Sequence, residues 1–227
     1  MSAGAATTGL RAPLTLLYQD ERVVVVDKPS GLLVHKTRTG SDEVALLQLL
    51  RDQLGRHVHP VHRLDRASSG LLAYGLDSEA ARGLQAGLQA PGAVKEYLAL
   101  VRGPCPAAFK GTAPLLDDKD VLRPARTSFT RVAAYAGARA ALLSARLFTG
   151  RSHQIRRHLA LAGHHVLGDS RYGKARANRR AARLGLERLF LHAWRLEIAH
   201  PCGGRLSVTA PLPRELAALL ERLSSGV

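Results

Sequence analysis

The stretch His62-Arg63-Leu64-Asp65-Arg66-Ala67-Ser68-Ser69-Gly70 sets one carboxylate between two arginines. Val58 and Val61 stand ahead of it, and the apolar run Leu71-Leu72-Ala73-Tyr74 follows. Apolar run, polar turn and apolar run read as strand, loop and strand, the second strand covering 71–76. Positive charge close to a carboxylate favours its ionised form, so Asp65 is read as an anion held and aimed at something. The competing reading is a strand-end salt bridge, which contributes little and carries no chemistry.

Outward from that loop the pattern alternates between strand and helix. Val23-Val24-Val25-Val26 is a β-branched strand read over 22–27, joined through Gln19-Asp20-Glu21 to another over 14–18 and ended by Lys28-Pro29-Ser30-Gly31. A further short strand is read at 32–35. Over 42–54, Val44, Leu47, Leu50 and Leu54 recur at helical spacing, with Ser41 or Asp42 as the cap. A second helix runs over 77–89 from Asp77 or Ser78. Then come a strand at 94–101, a surface excursion rich in Pro, Gly and Asp at 104–123, and a hairpin about Gly137 pairing 127–135 with 140–148. A helix over 152–162, strands at 189–199 and 205–209, and an amphipathic helix over 213–223 close the chain. The pattern predicts an α+β fold, a mixed and largely antiparallel sheet with flanking helices and loops. No repeat, low-complexity tract or linker divides the sequence, so residues 14–227 read as one domain behind a disordered tail at 1–13.

With 227 residues and 46% hydrophobic content, the chain can bury a full core. It has no run of eighteen apolar residues, which argues against a membrane helix, and its first dozen residues lack the apolar centre of a signal peptide. Cys105 and Cys202 each sit beside proline without metal-site spacing, which points to a cytoplasmic protein with no disulfide framework. The net charge is +15, and 27 of the 33 basic residues are arginine, the side chain whose planar fork best matches phosphate. A polyanion, most simply a nucleic acid, is the partner this implies.

Two further clusters bear on chemistry. Gly150-Arg151-Ser152-His153-Gln154-Ile155-Arg156-Arg157-His158 brings arginines to a helix start, where exposed amides favour an anion; the bland alternative is a solvated basic face. From Ser170 to Leu186 the chain carries six basic residues and no acid: Arg171, Lys174, Arg176, Arg179, Arg180 and Arg183. Arg176, Arg179, Arg180 and Arg183 are read along one side of a helical pattern, where like charges repel and a phosphate backbone would relieve them. The spacing of His57, His59 and His62 invites zinc, but no cysteine or acidic ligand completes a site, so no metal is expected.

The motifs His62-Arg63-Leu64-Asp65-x-x-Ser68-Ser69-Gly70-Leu71-Leu72, Lys95-Glu96-Tyr97, Gly150-Arg151-Ser152-His153-Gln154-Ile155-Arg156, Gly168-Asp169-x-x-Tyr172-Gly173 and Leu191-His192-Ala193 resemble, in order, those of the RluA-type pseudouridine synthases. Asp27-Lys28-Pro29-Ser30-Gly31 resembles that family's first strand and turn, and the likeness spans residues 16–212. Ser68 stands where the family usually has threonine, and both keep a hydroxyl. The resemblance implies a catalytic cleft across the sheet, with Asp65 as the catalytic carboxylate, acting as nucleophile or as the base that promotes glycal formation. It implies Arg156 as the salt-bridge partner of Asp65, with Arg151 second, and Tyr97 as the aromatic that stacks on the target base. Arg63 fills the gap left by the extruded nucleotide, and His62 and Gln154 complete the substrate-binding set.

No cofactor, metal or obligate protein partner is implied, nor room for the S4 RNA-binding domain of some relatives. Leu17-Tyr18-Gln19-Asp20-Glu21, Arg51-Asp52-Gln53-Leu54-Gly55 and the insertion around Asn178-Arg179 are most similar to family members that act on tRNA. They favour tRNA, at its uridine 65, over rRNA. Two other classes stay open: an idle RNA-binding relative in which Asp65 only braces the loop, and a nuclease that uses paired histidines as acid and base.

Overall fold

The computed structural model describes residues 13–35 and 44–225. The elements are β1 (Thr15–Gln19), β2 (Val23–Lys28), α1 (Leu46–Leu54), β3 (His59–Pro60), β4 (Ser69–Gly75), α2 (Ser78–Gln89), β5 (Val94–Arg102), β6 (Ala108–Gly111), β7 (Leu115–Leu116), β8 (Leu122–Arg123), β9 (Thr127–Tyr135), β10 (Ala140–Leu147), α3 (Gln154–Leu161), α4 (Ala175–Arg183), β11 (Leu191–Ala199), β12 (Arg205–Thr209) and α5 (Arg214–Ser224). Ten strands form one sheet in the order β1-β2-β4-β11-β5-β10-β9-β6, with β12 also on β11 and β3 on β4. Among the described residues every pairing in it is antiparallel except β4 with β11. The mixed α+β sheet read from the sequence is therefore the observed one.

The sheet has two covered faces in its middle, which accounts for the unbroken apolar runs of β2 and β4. Val23, Val24, Val25 and Val26 are all fully buried, as are Leu72, Ala73 and Tyr74. Along β5, Tyr97, Ala99 and Val101 meet the cluster that holds Ile155 and Leu159 of α3. Leu98 and Leu100 point the other way, into the cluster with Ala181 of α4 and Leu216, Leu219 and Leu223 of α5. Helices α3 and α4 thus lie on opposite faces.

The one parallel contact pairs Ser69 and Gly70 with His192 and Ala193. Gly70 adopts φ +107°, and a Cβ there would lie 2.2 Å from the Ala193 carbonyl oxygen, so only glycine lets the strands approach. Beside it, Ser69 Oγ donates to His192 Nδ1 at 2.9 Å, and the ring's Nε2–H donates to Ala210 O at 3.4 Å. That pairing fixes a neutral imidazole, and burial pushes its pKa down to about 4.

Several expectations are corrected. Segment 32–35 forms no strand; the carbonyls of Leu33 and Val34 instead accept the first free amides of α1, from Leu46 and Leu47. The helix begins at Leu46, and the proposed caps Ser41 and Asp42 lie outside the described residues, as does the tail apart from Pro13. The 104–123 excursion carries real structure. Its β6 closes the sheet edge against β9, with Phe109 stacked on Phe129 at 4.8 Å, and β7 and β8 form a small hairpin of their own. Helix α3 starts two residues late because His153 is left-handed, at φ 52°. Asp77 does cap α2, accepting from the Ala80 amide at 2.8 Å. Among the described residues no helix is long and apolar enough to cross a membrane.

The buried neutral histidines make stability depend on pH with a definite sign. His192 has a folded pKa of about 4 against 6.5 unfolded, so between these values the unfolded state binds more protons. Its contribution is complete above pH 6.5 and is lost as pH falls toward 4. At pH 5 the loss from His192 alone is about 2 kcal/mol, at 1.36 kcal/mol per unit. Urea unfolding at pH 7 and pH 5 should show the drop, and it should shrink in His192→Gln; equal pH slopes for the two proteins would contradict the assignment.

Candidate active site

Asp65 sits on a turn closed by the Ser68 amide donating to Asp65 O at 3.0 Å. The turn is stitched to the exit of β2. Lys28 is 0% exposed, and its ammonium donates to the carbonyls of Pro29, Leu32 and Arg66 at 2.9, 2.9 and 3.1 Å. Three protons meet three acceptors, which is what lets a lysine be buried, although burial still pulls its pKa down to about 8. The Gly31 amide donates to Arg66 O at 2.8 Å, Arg66 Nε returns a bond to Gly31 O at 2.9 Å, and Ser30 Oγ donates to Ala67 O at 2.7 Å. The Lys-Pro-Ser-Gly turn and Arg66 therefore serve to hold the loop that presents Asp65.

Arg156 reaches Asp65 from α3, 91 residues along the chain: Nη1 donates to Asp65 Oδ2 at 2.9 Å. Its other edge is locked by Asp169, with Nε to Oδ2 at 2.7 Å and Nη2 to Oδ1 at 2.8 Å. Asp169 is only 2% exposed, and it also accepts the amides of Arg171 and Tyr172 at 2.9 Å each. Burial works against both charges. The Arg156 fork and the two amides outweigh it and hold the Asp169 carboxyl below its usual value. Arg156 likewise stays above the usual guanidinium value, because Asp169 and Asp65 outweigh its desolvation. Gly168, at φ +77°, makes the turn possible; a Cβ there would lie 2.0 Å from Arg188 O.

His153 lies on the other side of the carboxylate, its Nε2 3.8 Å from Asp65 Oδ1 and its Nδ1 3.1 Å from the Tyr172 hydroxyl. Burial, with Arg156 and Arg171 nearby, lowers its pKa against the pull of Asp65, so the ring is neutral at neutral pH. Asp65 opens into a cleft of about 760 Å³, also lined by His62, Arg63, Tyr97, Arg151, His153 and Gln154. Burial and the Asp65 charge push the Tyr97 phenol well above its ordinary pKa, so it presents a neutral ring.

The predicted site residues divide between the open cleft and the frame behind it. Arg63 is exposed at the cleft wall. Arg151 does not pair with Asp65; its Nε donates to Pro124 O at 3.2 Å. Gln154 is inside the cleft wall with all its bonds committed: Oε1 accepts from Thr149 Oγ1 and Arg151 N, and Nε2 donates to Arg126 O and Thr127 Oγ1. His62 Nε2 accepts the Ala73 amide at 3.0 Å, and burial lowers its pKa to about 4. Both residues brace the wall. His62 and His153, the two histidines a nuclease would use, both line the cleft, but the Ala73 amide already occupies His62 Nε2.

The basic insertion also separates. Arg171 packs over Tyr172 at 5.4 Å, beside the cleft. Helix α4 carries the rest behind the sheet. There Lys174, Arg176 and Arg180 border a second cavity, and Arg179 and Arg183 are exposed elsewhere on the helix. The four arginines share one side of the helix, as read from the sequence. At about 100° per residue they fall within an arc of about 100°, Arg176 and Arg180 toward the cavity and Arg179 and Arg183 at the other edge of the arc.

Residues 22–161 match the family model described as RNA pseudouridylate synthase. This chain belongs to that family. The synthase is 40% identical over 214 residues to tRNA pseudouridine synthase C of Salmonella typhimurium, covering 85% of this chain and 82% of that one. It is 35% identical to the protein of that name from Haemophilus ducreyi, over 83% and 86% of the two chains. Among solved structures it is similar to human RNA Pseudouridylate Synthase Domain Containing 4, with a TM-score of 0.77 at 25% identity over 92% and 93% of the chains.

Sequence reasoning assigned no role to Asp169 or Lys28 and gave His153 one only in the nuclease reading, although all three lie in quoted motifs. Asp169 left the clearest trace, as one of two acids among eleven basic residues between Arg146 and Arg188. In this synthase the Asp169→Asn variant should lower the free energy of unfolding by about 3 kcal/mol, the cost of removing one partner from a buried ion pair. Urea denaturation measures it, and a change under about 1 kcal/mol would mean that Asp169 does not carry Arg156.

Proposed function

We propose that this synthase converts a uridine within tRNA to pseudouridine, with Asp65 as the reacting carboxylate. The observation that carries the reading is the split between its two oxygens. Oδ2 is held by Arg156, while Oδ1 faces the cleft with the His153 ring 3.8 Å away. In the reaction the N1–C1′ bond breaks, a C5–C1′ bond forms, and the proton lost from C5 is balanced by one gained at N1. Asp65 enters either as nucleophile at C1′ or as the base that opens the glycal route, and each role needs a free lone pair on Oδ1. Arg156, locked from behind by Asp169, holds the carboxylate still while the base turns. Isomerisation adds and removes nothing, so the side chains present suffice without a cofactor.

The target base must leave its stack at a cost of a few kcal/mol. Stacking on the Tyr97 ring returns about 1–3 kcal/mol, and in this reading Arg63, which lines the cleft, fills the vacated space. Arg151 and Arg171 offer phosphate contacts along the cleft edge. The choice of tRNA over rRNA, with uridine 65 as the target, is supported by the relatives named tRNA pseudouridine synthase C. Residues 14–227 act as one catalytic unit in this reading, which the single ten-stranded sheet supports. Cys105 and Cys202 are both free thiols, in keeping with work in the cytoplasm.

The Asp65→Asn variant should bind tRNA within about threefold of the parent affinity and lose pseudouridine formation by at least about a thousandfold. Chemical mapping of pseudouridine in the product reads the outcome. Parent-level modification by this variant would return Asp65 to a bracing role. Strand breaks in place of pseudouridine would favour a nuclease.

A further inference from the structure

A second cavity, of about 520 Å³, lies between α4, α5 and the ends of β5 and β10, on the face of the sheet opposite Tyr97. Its floor is apolar, made by Leu100, Leu167, Ala181, Leu184, Leu219 and Leu223. Around it stand Arg102, Arg139, Lys174, Arg176 and Arg180, and no carboxylate is among the lining residues. We propose that this cavity binds an unpaired nucleotide of the substrate RNA, its base against the leucine floor and its phosphates on the surrounding cations. The inference rests on the RNA-modifying reading above and adds a second contact point to it.

Four observations carry the proposal. The volume falls in the range of small-ligand sites, which are concave, mostly apolar and edged by a few placed polar groups. The charge is one-sided, so the complementary ligand carries several negative charges set apart, as a phosphodiester chain does. The arginines are also placed and not merely solvated. Arg180 Nη2 reaches across to Gly137 O at 2.5 Å, tying α4 to the β9–β10 turn, and Arg139 is held left-handed at φ 50° in that turn, with its carbonyl accepting the Gly103 amide. A non-glycine residue in that conformation is strained, and such strain gathers at functional positions. Finally, a positive path joins the two sites. Arg171 packs on Tyr172, whose hydroxyl bonds His153 in the cleft, and Lys174 lines the rear cavity, at most about 11 Å further along the chain.

The chemistry favours an unpaired nucleotide over a duplex. Paired bases are turned inward, and a helix would offer this concavity phosphates alone, leaving the leucine floor without a partner. An unpaired base brings a flat apolar face, and guanidinium planes accept bases by stacking where no aromatic ring is present.

The test uses two variants outside the cleft, Arg176→Ala/Arg180→Ala and the cavity-filling Ala177→Phe, with folding checked by circular dichroism. Two RNA substrates contain the target uridine: the full tRNA with its single-stranded 3′ end, and a closed hairpin with no other unpaired nucleotide near the stem. Both variants should raise KM for the full tRNA about tenfold, leave kcat unchanged, and alter KM for the hairpin less than twofold. The double arginine variant should also flatten the salt dependence of tRNA binding by about 1.4 in log–log slope, from two single-strand phosphates. 4-Thiouridine placed in the unpaired segment should crosslink to peptide 174–184 in the parent and not in Ala177→Phe. Equal KM changes on both substrates would reduce the cavity to a general charge patch. Unchanged KM with crosslinks elsewhere, or loss of the crosslink to competing phosphatidylglycerol vesicles, would each overturn the proposal. Failure of the parent to form pseudouridine in either RNA strikes the functional reading instead, and the crosslink still reports on the cavity.

Discussion

The site depends on how one guanidinium is shared. Arg156 presents one edge to Asp65 and the other to buried Asp169, so its single positive charge serves a carboxylate that faces the cleft and one that does not. A planar fork with five donors can do this; a lysine ammonium cannot, because it lacks two opposed edges. The buried partner keeps the arginine from following the exposed one. Asp65 is thereby held without being covered.

The same economy runs through the rest of the polar interior. Lys28 spends its three protons on three loop carbonyls, and His192 and His62 stay neutral so that their nitrogens can complete strand pairings. Gln154 uses both ends of its amide to tie α3 to β9 and to the loop before it. These groups look like ligand-binding chemistry in a sequence, since histidine, lysine and glutamine beside an arginine-flanked aspartate invite that reading. In the folded chain they are the frame. The sheet then separates the two basic regions in space, with Tyr97 and α3 on one face and the basic helix α4 on the other.

Much of the architecture was legible. The valine run of β2, the Asp77 cap of α2 and the hairpin about Gly137 each follow from local rules, because their geometry is set within a few residues. What was not legible is where the chain satisfies itself at long range. Leu33 and Val34 looked like a strand and instead cap α1; His153 looked helical and is left-handed; β6 looked like a surface loop and closes the sheet. For the first and last, the deciding hydrogen bonds come from partners 13 to 22 residues away along the chain, beyond the reach of local propensity.

By itself the sequence determined the α+β class, the order of the elements and the identity of Asp65 as the residue to watch. Motif order and apolar periodicity are properties of the chain before it folds. Only the tertiary structure decided that Arg156 and not Arg151 holds Asp65, that Arg66 ties its loop to the Gly31 turn, and that the arginines of α4 divide between a cavity and open solvent. Those outcomes turn on which edge of a guanidinium faces which carboxylate or carbonyl. Distances of a few ångströms across 91 residues of chain exist only once the sheet has brought α3 and the Asp65 turn together.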